Sequence, residues 1–509
     1  MPDLQRARIF RLAIPTLLIC LGWIGELSSQ TSTGVERPRT IVTTDPELDD
    51  SNSLVRYLLY AADLQTEGII YASSQFHWRG DGKGTLFSVP NREYSRGGVN
   101  LCPCTSWRWK PGERYIDDAV DIYAKVYPNL KLHDPNYPTP QSLKSRIREG
   151  NVEFEGDTSK DTPGSDLIKA VLLDDQRGPV YLLAWGGQST IARALKAITV
   201  QYGNSAEWPA IQAKVSKKAI IQAFGDQDGT NASYIKPEWP GIEFRQMSTA
   251  TWGYGARAVV RPEFAQYLSA AWTRENVSSI GAFGPFYRVW RDGKQMVPGD
   301  VFDYFGEDAT AEELRAKGFR VWTPPQEKGA WISEGDSSTF MNLIDNGLRA
   351  YEDASYGGWG GRNAADKDAA GASPRDYAAA RWFEFAQRDF AARMKWAATP
   401  TFAGANHKPK VSVTSGLNVT AVPGATLRLA ATATDPDRNT LTAKWWQYAD
   451  ADTYPGTITF SAADALTTTF QVPQDATNGQ TIHALIQVTD NGEPPLTSFQ
   501  RVIVTIKSP

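Results

Sequence analysis

Apolar positions in the first half of the chain switch repeatedly between two periods. A β-branched run, Thr40-Ile41-Val42, is followed by an apolar series at Leu54, Leu58, Leu59 and Ala62. The first has the pattern of a short strand and the second that of one face of a helix. Between them lies Thr43-Thr44-Asp45-Pro46-Glu47-Leu48-Asp49-Asp50. The strand is expected to end at Asp45, turn through Pro46, and restart as a helix near Asp49 to Ser51. The alternation continues. Residues 68–73 are strand-like, and 165–174 form an amphipathic helix with Ser165 as its expected cap. Residues 180–184 have the pattern of a buried strand, 190–198 of a helix, and 219–224 of another strand. This order predicts an α/β fold, a Rossmann-like and mostly parallel sheet flanked by helices. Between Gln75 and Thr162 the chain is rich in Gly, Pro, Trp and Tyr. A lid or rim insertion is expected there, with a helical piece over residues 116–126. The Ala-rich stretch 374–398, with Pro374 near its first turn, predicts a long helix packed on the domain.

The pattern changes near residue 399. Residues 399–410 have the composition of a linker. Beyond them, short Val/Thr/Ile runs alternate with turn signals at Asp435-Pro-Asp-Arg-Asn439 and Asp490-Asn-Gly-Glu-Pro-Pro495. That predicts an all-β, immunoglobulin-like sandwich over 411–509, similar to fibronectin- or cadherin-type modules. Asp435, Asp437 and Asp490 suit ordinary turn chemistry, with Ca2+ at the sandwich end as the other possibility.

Composition narrows the class. The 509 residues carry a net charge of −4, with 22% charged and 41% hydrophobic positions, so no basic excess points to nucleic acid. Arg6, Arg8 and Arg11 precede an apolar stretch over 12–24, and small polar residues follow at 28–33. Residues 1–33 are therefore expected to be a secretory signal, since the apolar run is shorter than the ~20 residues of a spanning helix. A secreted protein, extracellular or periplasmic, without stable membrane insertion follows. Cys102-Pro-Cys104 is expected to be a local loop feature, a strained disulfide staying open. Seventeen Trp are many, and several sit beside Gly, as in Tyr356-Gly-Gly-Trp-Gly-Gly361. Exposed Trp in the 76–112 and 355–363 loops would give flat faces for sugars, whereas core packing is the usual fate of Trp.

The turn at Asp45 carries the chemistry. Three carboxylates, four with Glu47, repel one another when held on one strand-to-helix turn. The free N–H groups of the helix N-terminus offset part of that charge. A hard cation with oxygen ligands would offset it fully. Open α/β sheets also bind ligands at the carboxyl ends of their strands, where this turn sits.

At these residues the chain resembles the nucleoside hydrolase superfamily, which opens with a strand and an Asp-x-Asp-Pro-Gly-x-Asp-Asp motif. Asp45, Pro46, Asp49 and Asp50 match, while Thr43 and Glu47 stand where the family has Asp and Gly. Two further segments are similar: Val-Tyr-Leu-Leu-Ala-Trp-Gly-Gly-Gln-Ser-Thr ending at Thr190, and Trp331-Ile-Ser-Glu-Gly-Asp-Ser-Ser-Thr-Phe340. The high Trp content and β-rich tail look most like secreted cellulose-binding proteins with a nucleoside-hydrolase-like domain, here over 38–398. The resemblance implies one Ca2+ held by Asp45, Asp50, Asp336 and the backbone carbonyl of Trp185, with Asp45 as general base. It implies Asp49, Gln75, Asp228 and Asn231 as substrate contacts. His77, Glu334 and Asp226 are the candidates for protonating a leaving group. The expected function is hydrolysis of a glycosyl bond, in an N-riboside or a plant-cell-wall sugar. The alternative is a carbohydrate- or cellulose-binding protein that keeps the fold without turnover. A haloacid-dehalogenase-type phosphotransferase is a third reading, disfavoured because Glu47 stands where its loop needs a second Asp.

Overall fold

The computed structural model describes residues 37–95, 100–247, 249–319, 321, 323–362, 371–372 and 376–508. The expected signal at 1–33 and Pro374 lie outside them.

Six strands form the first sheet: β1 (Arg39–Thr44), β2 (Gln65–Tyr71), β3 (Ile147–Glu149), β4 (Val180–Ala184), β5 (Ala219–Ala223) and β6 (Glu243–Gln246). Their order is β3-β2-β1-β4-β5-β6, with every neighbouring pair parallel. Progress along the sheet reverses between β1 and β4, which makes their carboxyl ends the switch point where such sheets bind ligands. Helices cover both faces. Val42, Ile69 and Leu183 pack on one side with the helices α1 (Leu48–Leu59) and α2 (Tyr115–His133). Their neighbours Ile41, Ile70 and Leu182 pack on the other, against helices Pro163–Leu173 and Ser189–Tyr202. The period of two along a strand separates the two cores.

Local chemistry corrects two details. Helix Pro163–Leu173 is capped by Thr162, whose Oγ1 accepts from Ser165 N at 3.1 Å. Ser165 is the third helical residue and completes a capping box, with its Oγ accepting from Thr162 N at 2.9 Å. The long helix expected over 374–398 is a short turn at Tyr377–Ala380 followed by helix Phe383–Ala398.

Seven strands build the C-terminal part: β7 (Lys410–Val413), β8 (Asn418–Ala421), β9 (Thr426–Thr434), β10 (Leu441–Gln447), β11 (Thr467–Gln471), β12 (Thr481–Asp490) and β13 (Thr497–Ile506). They form a four-stranded sheet, β10-β12-β13-β8, and a three-stranded sheet, β11-β9-β7. All pairs are antiparallel except β13 with β8. The seam with the α/β part is packed. Tyr448, Leu485 and Phe499 share one core with Trp382, whose ring centroid lies 5.4 Å from that of Phe499. Arg501 is buried there and donates to Leu348 O and Gly357 O. Within 399–410, Ala405, Asn406 and His407 are buried as well.

Of the two expectations for the Trp residues, core packing holds and exposed loop faces do not. Trp78, Trp107, Trp109 and Trp359, in the two loops expected to display them, are all buried. Each is large and apolar enough to anchor a loop that lacks regular structure, and Trp78 pairs with Trp107 in an isolated antiparallel bridge. Cys102 and Cys104 in the same insertion are joined by a disulfide. Among the described residues, no helix is long and apolar enough to cross a membrane.

Candidate functional site

The site lies past the carboxyl ends of β1, β2, β4 and β5. Asp45 follows β1 and is fully buried, and neither carboxylate oxygen has a hydrogen-bond partner. Gly186, just after β4, lies against it: a Cβ there would fall 2.8 Å from Asp45 Oδ2. Only glycine lets that backbone approach so closely. Pro46 and Glu47 then turn the chain into α1, with Glu47 as an extended N-cap residue. Asp49 and Asp50 fall in the first helical turn, where the helix dipole favours negative charge. Asp50 Oδ1 accepts from Thr44 Oγ1 at 2.5 Å and from Asp45 N at 3.2 Å. Asp49 Oδ2 accepts from Ser333 Oγ at 3.3 Å, while its Oδ1 is unpartnered. Gly335 is wedged here too, since a Cβ would meet Asp49 Oδ2 at 2.0 Å. Asp336 is fixed by its backbone N–H, which donates to Ser53 Oγ of α1 at 3.1 Å.

Segments hundreds of residues apart therefore bring Asp45, Asp49, Asp50 and Asp336 together. No Lys or Arg pairs with these four among the described residues. Burial pushes the carboxyl of Asp50 well up, and the charges of Asp336, Asp45 and Asp49 add to it. Asp336 is pushed well up by burial and then by Asp49 and Asp45. Glu47 behaves likewise, through burial and the charges of Asp49 and Asp45. Asp49 rises to about 6, chiefly through burial. His77 is pushed down by burial and by the Arg108 charge.

These side chains fit a divalent cation. Asp45, Glu47 and His77 each offer a ligand atom within 4.8 Å of the others, and so do Glu47, Asp49 and Asp50. Asp336 belongs to neither trio, although it touches the same cluster electrostatically. The Trp185 carbonyl accepts from Gln227 Nε2 at 2.9 Å, which leaves one lone pair unused.

Above the carboxylates opens a cavity of about 330 Å3. Glu47, Asp49 and Asp336 form its acidic floor. Phe76, Phe224, Tyr254, Phe302 and Phe305 form aromatic walls, with the Tyr254 and Phe305 rings stacked 4.6 Å apart. Arg108, from the Trp-rich insertion, adds one cation, held by Asp300 at 2.7 Å and near Glu93 at 3.7 Å.

Several expected contacts lie elsewhere. Glu334 is fully buried and accepts from Arg56, Tyr287, Ser337 and Trp331, so no free oxygen faces the cleft. Asp228 is occupied structurally: Ser189 N donates to its Oδ2, and Thr230 N and Oγ1 donate to its Oδ1. Asp226 accepts from the backbone N–H groups of Asn231 and Ala232 and so caps that turn. Gln75 and Asn231 do not line the cavity; the backbone of Gln75 donates to Gln227 O. Sequence patterns missed Arg108, Tyr254, Gln227 and the Phe walls. All sit in irregular loops except Phe305, which lies in the single 3-10 turn Tyr304–Gly306, and such segments have no periodicity that gives orientation.

Comparison with known proteins places the chain. Residues 39–363 match the family described as cellulose-binding Sde182, nucleoside hydrolase-like domain. The chain belongs to this family. Residues 426–506 match the C-terminal domain of cellulose-binding protein Sde0182. A solved nucleoside hydrolase-related hypothetical protein from Saccharophagus degradans, described as associated with carbohydrate metabolism, is 25% identical. That match covers 93% of this chain and 100% of the other, with a TM-score of 0.67. Fibronectin(III)-like modules of Clostridium thermocellum CbhA match 20% of this chain and 47% of theirs, at 21% identity and a TM-score of 0.14. No curated protein matches the chain.

Proposed function

We propose that this is a secreted protein that binds a saccharide in the cleft over Asp45 and hydrolyses a glycosyl bond there. The observation that carries the proposal is the buried Asp45 carboxylate with both oxygens unpartnered, whose charge acts on Asp49 and Asp336, two residues that line an open, aromatic-walled cavity. Burying such a group costs several kcal/mol unless a partner arrives, so it is kept for a ligand rather than for folding (roughly 1–3 kcal/mol or more per unsatisfied group).

Asp45, Asp50 and Asp336, with the Trp185 carbonyl, would hold a Ca2+ ion. When bound, that ion supplies a positive charge that lowers the pKa of nearby water and gives sugar hydroxyls an oxygen-seeking partner. The chain's own residues do the rest. Asp45 accepts a proton from the water that attacks the anomeric carbon. Asp49 and Asp336 face the reacting ring and favour the positive charge of an oxocarbenium-like transition state. Asp49 Oδ1 is free to accept from a ring hydroxyl. Tyr254, Phe305 and Phe224 give the sugar's apolar face a wall, and Arg108 donates to its hydroxyls from the opposite loop. The Tyr254 hydroxyl is held protonated by burial and by the nearby Asp49 and Glu47 charges, so it can donate to the leaving oxygen.

Family membership favours a cell-wall saccharide over a nucleoside. Buried Trp residues favour a single sugar chain entering the cleft over a flat crystalline face. A second possibility is binding without turnover, favoured by Glu47, which adds a carboxylate to the floor where the resemblance has Gly. Both are tested together. Protein with Ca2+ is incubated with p-nitrophenyl glycosides, nucleosides and cell-wall oligosaccharides, beside an Asp45→Ala variant, and each is assayed for cellulose pull-down. Sugar release lost in the variant supports the enzyme. Pull-down without release, unchanged by the variant, refutes the catalytic role and leaves a binder.

A further inference from the structure

The carbonyl of His77 accepts from Ser74 N at 2.9 Å, but its ring meets one carboxylate, that of Asp45, at a distance longer than a hydrogen bond. Its ring is fully buried, and neither nitrogen has a hydrogen-bond partner. Buried polar groups are otherwise almost always satisfied. The other three histidines of the chain obey that rule. His133 contacts Thr399 O and His407, His407 contacts Asp437, and His483 contacts Arg501. His77 Nδ1 instead lies 3.4 Å from Asp45 Oδ1. That is longer than an N–H···O hydrogen bond, which spans roughly 2.7–3.2 Å. It does match two ligands of one ion, since atoms held about 2.1 Å from a tetrahedral centre lie ~3.4 Å apart. Asp45 is equally buried and unpartnered, and Glu47 brings a third ligand atom within 4.8 Å of both.

We infer that Asp45, Glu47 and His77 form a second cation position beside the oxygen-lined one, taking a divalent ion that accepts an imidazole ligand, such as Zn2+ or Mn2+. Ca2+ takes oxygen ligands, whereas imidazole suits first-row transition metals. The position is built from what this chain adds to the motif. Glu47 stands where the resembled motif has a Gly, which has no side chain to ligate, and His77 comes from the loop after β2. Glu47 lines the open cavity, which provides the entry path. The inference rests on the preceding proposal only in treating the cleft as a cation site; it needs neither Ca2+ nor turnover.

The test uses the full chain stripped of metal. Saturating Ca2+ is added, and Zn2+ is then titrated calorimetrically, with Co2+ as a visible-absorption probe. One equivalent of Zn2+ is expected on top of the bound Ca2+, and Co2+ is expected to give the intense bands of a low-coordinate site with a nitrogen ligand. His77→Ala should weaken Zn2+ binding at least tenfold and abolish those bands, with the Ca2+ isotherm unchanged. Glu47→Gly, at a half-buried cap position, should also lose the Zn2+ equivalent and serves if His77→Ala does not fold. No Zn2+ uptake by the Ca2+-saturated protein, displacement of Ca2+ one for one, or Zn2+ binding indifferent to both variants would overturn the inference. Zn2+ binding that depends on His77 in a protein that takes no Ca2+ would uphold it and overturn the Ca2+ proposal alone.

Discussion

Glu334 and Asp336 stand on the same short segment, separated by Gly335, and both are buried. Their surroundings are opposite. Glu334 meets the Arg56 guanidinium, which also donates to Gln387 Oε1 at 2.5 Å and stacks 3.8 Å from the Phe390 ring centroid. Three further donors complete its shell. Asp336 faces Asp45, Asp49 and Asp50 with no Lys or Arg in reach among the described residues. The first cluster is closed by the chain itself and holds α1 against helix Phe383–Ala398. The second is left open at a cavity. Buried charge that is satisfied marks structure, and buried charge that is not marks a site.

The comparison can be broken most forcibly from the structural side. Arg56→Ala leaves Glu334 buried without its counter-charge and should cost about 3–5 kcal/mol of stability, read from urea unfolding. A loss below 1 kcal/mol would mean that the pair is not closed as described.

The next effect is a pH dependence of opposite origin. The folded-state carboxyls of Glu47, Asp49, Asp50 and Asp336 titrate above their unfolded values. Folding thus retains protons that the unfolded chain has already released. Their stabilising contribution is complete below the unfolded values near 4 and is lost as pH rises. For Asp49 the window runs from the ordinary 3.8 of an aspartate carboxyl up to about 6. Metal-free protein should therefore become less stable from pH 4 toward pH 8, by on the order of 2–3 kcal/mol for Asp49 alone. Added Ca2+ should restore more stability at pH 8 than at pH 5. Melting curves with and without chelator check this, and a chelator effect that grew toward acid pH would reverse the sign.

A smaller effect separates the two clusters directly. Asp45→Asn should abolish sugar release yet stabilise the metal-free protein at pH 8, by on the order of 1 kcal/mol, because it removes one of several repelling charges. Smallest of all is the exposed pair Arg79–Glu149, at 2.7 Å. Arg79→Ala should change stability by less than about 1 kcal/mol and leave cation binding as it was.

Much of this was legible in the sequence because it is local. The β-branched run, Pro46 and the apolar periodicity place Asp45 at a strand end and Asp49 and Asp50 in a first helical turn. The parallel sheet follows from the same alternation. Asp336 could be linked to them only through the family motif, since nothing local ties it to α1. Orientation was not legible. Residue type does not say that Glu334 turns inward to Arg56 while Asp336 turns to the cleft. Nor does a Gly-flanked Trp359 announce that it is buried. Arg108 and Tyr254 come from loops whose path depends on Trp78, Trp107 and Phe305 packing at long range, which no window of sequence contains.

The most direct test of the open cluster is calorimetric titration of Ca2+ into metal-stripped protein at pH 8, wild type beside Asp45→Asn. Saturable uptake in the wild type, weakened at least a hundredfold in the variant, is the predicted result. Wild-type protein that takes up no Ca2+, or an isotherm indifferent to Asp45→Asn, would contradict it.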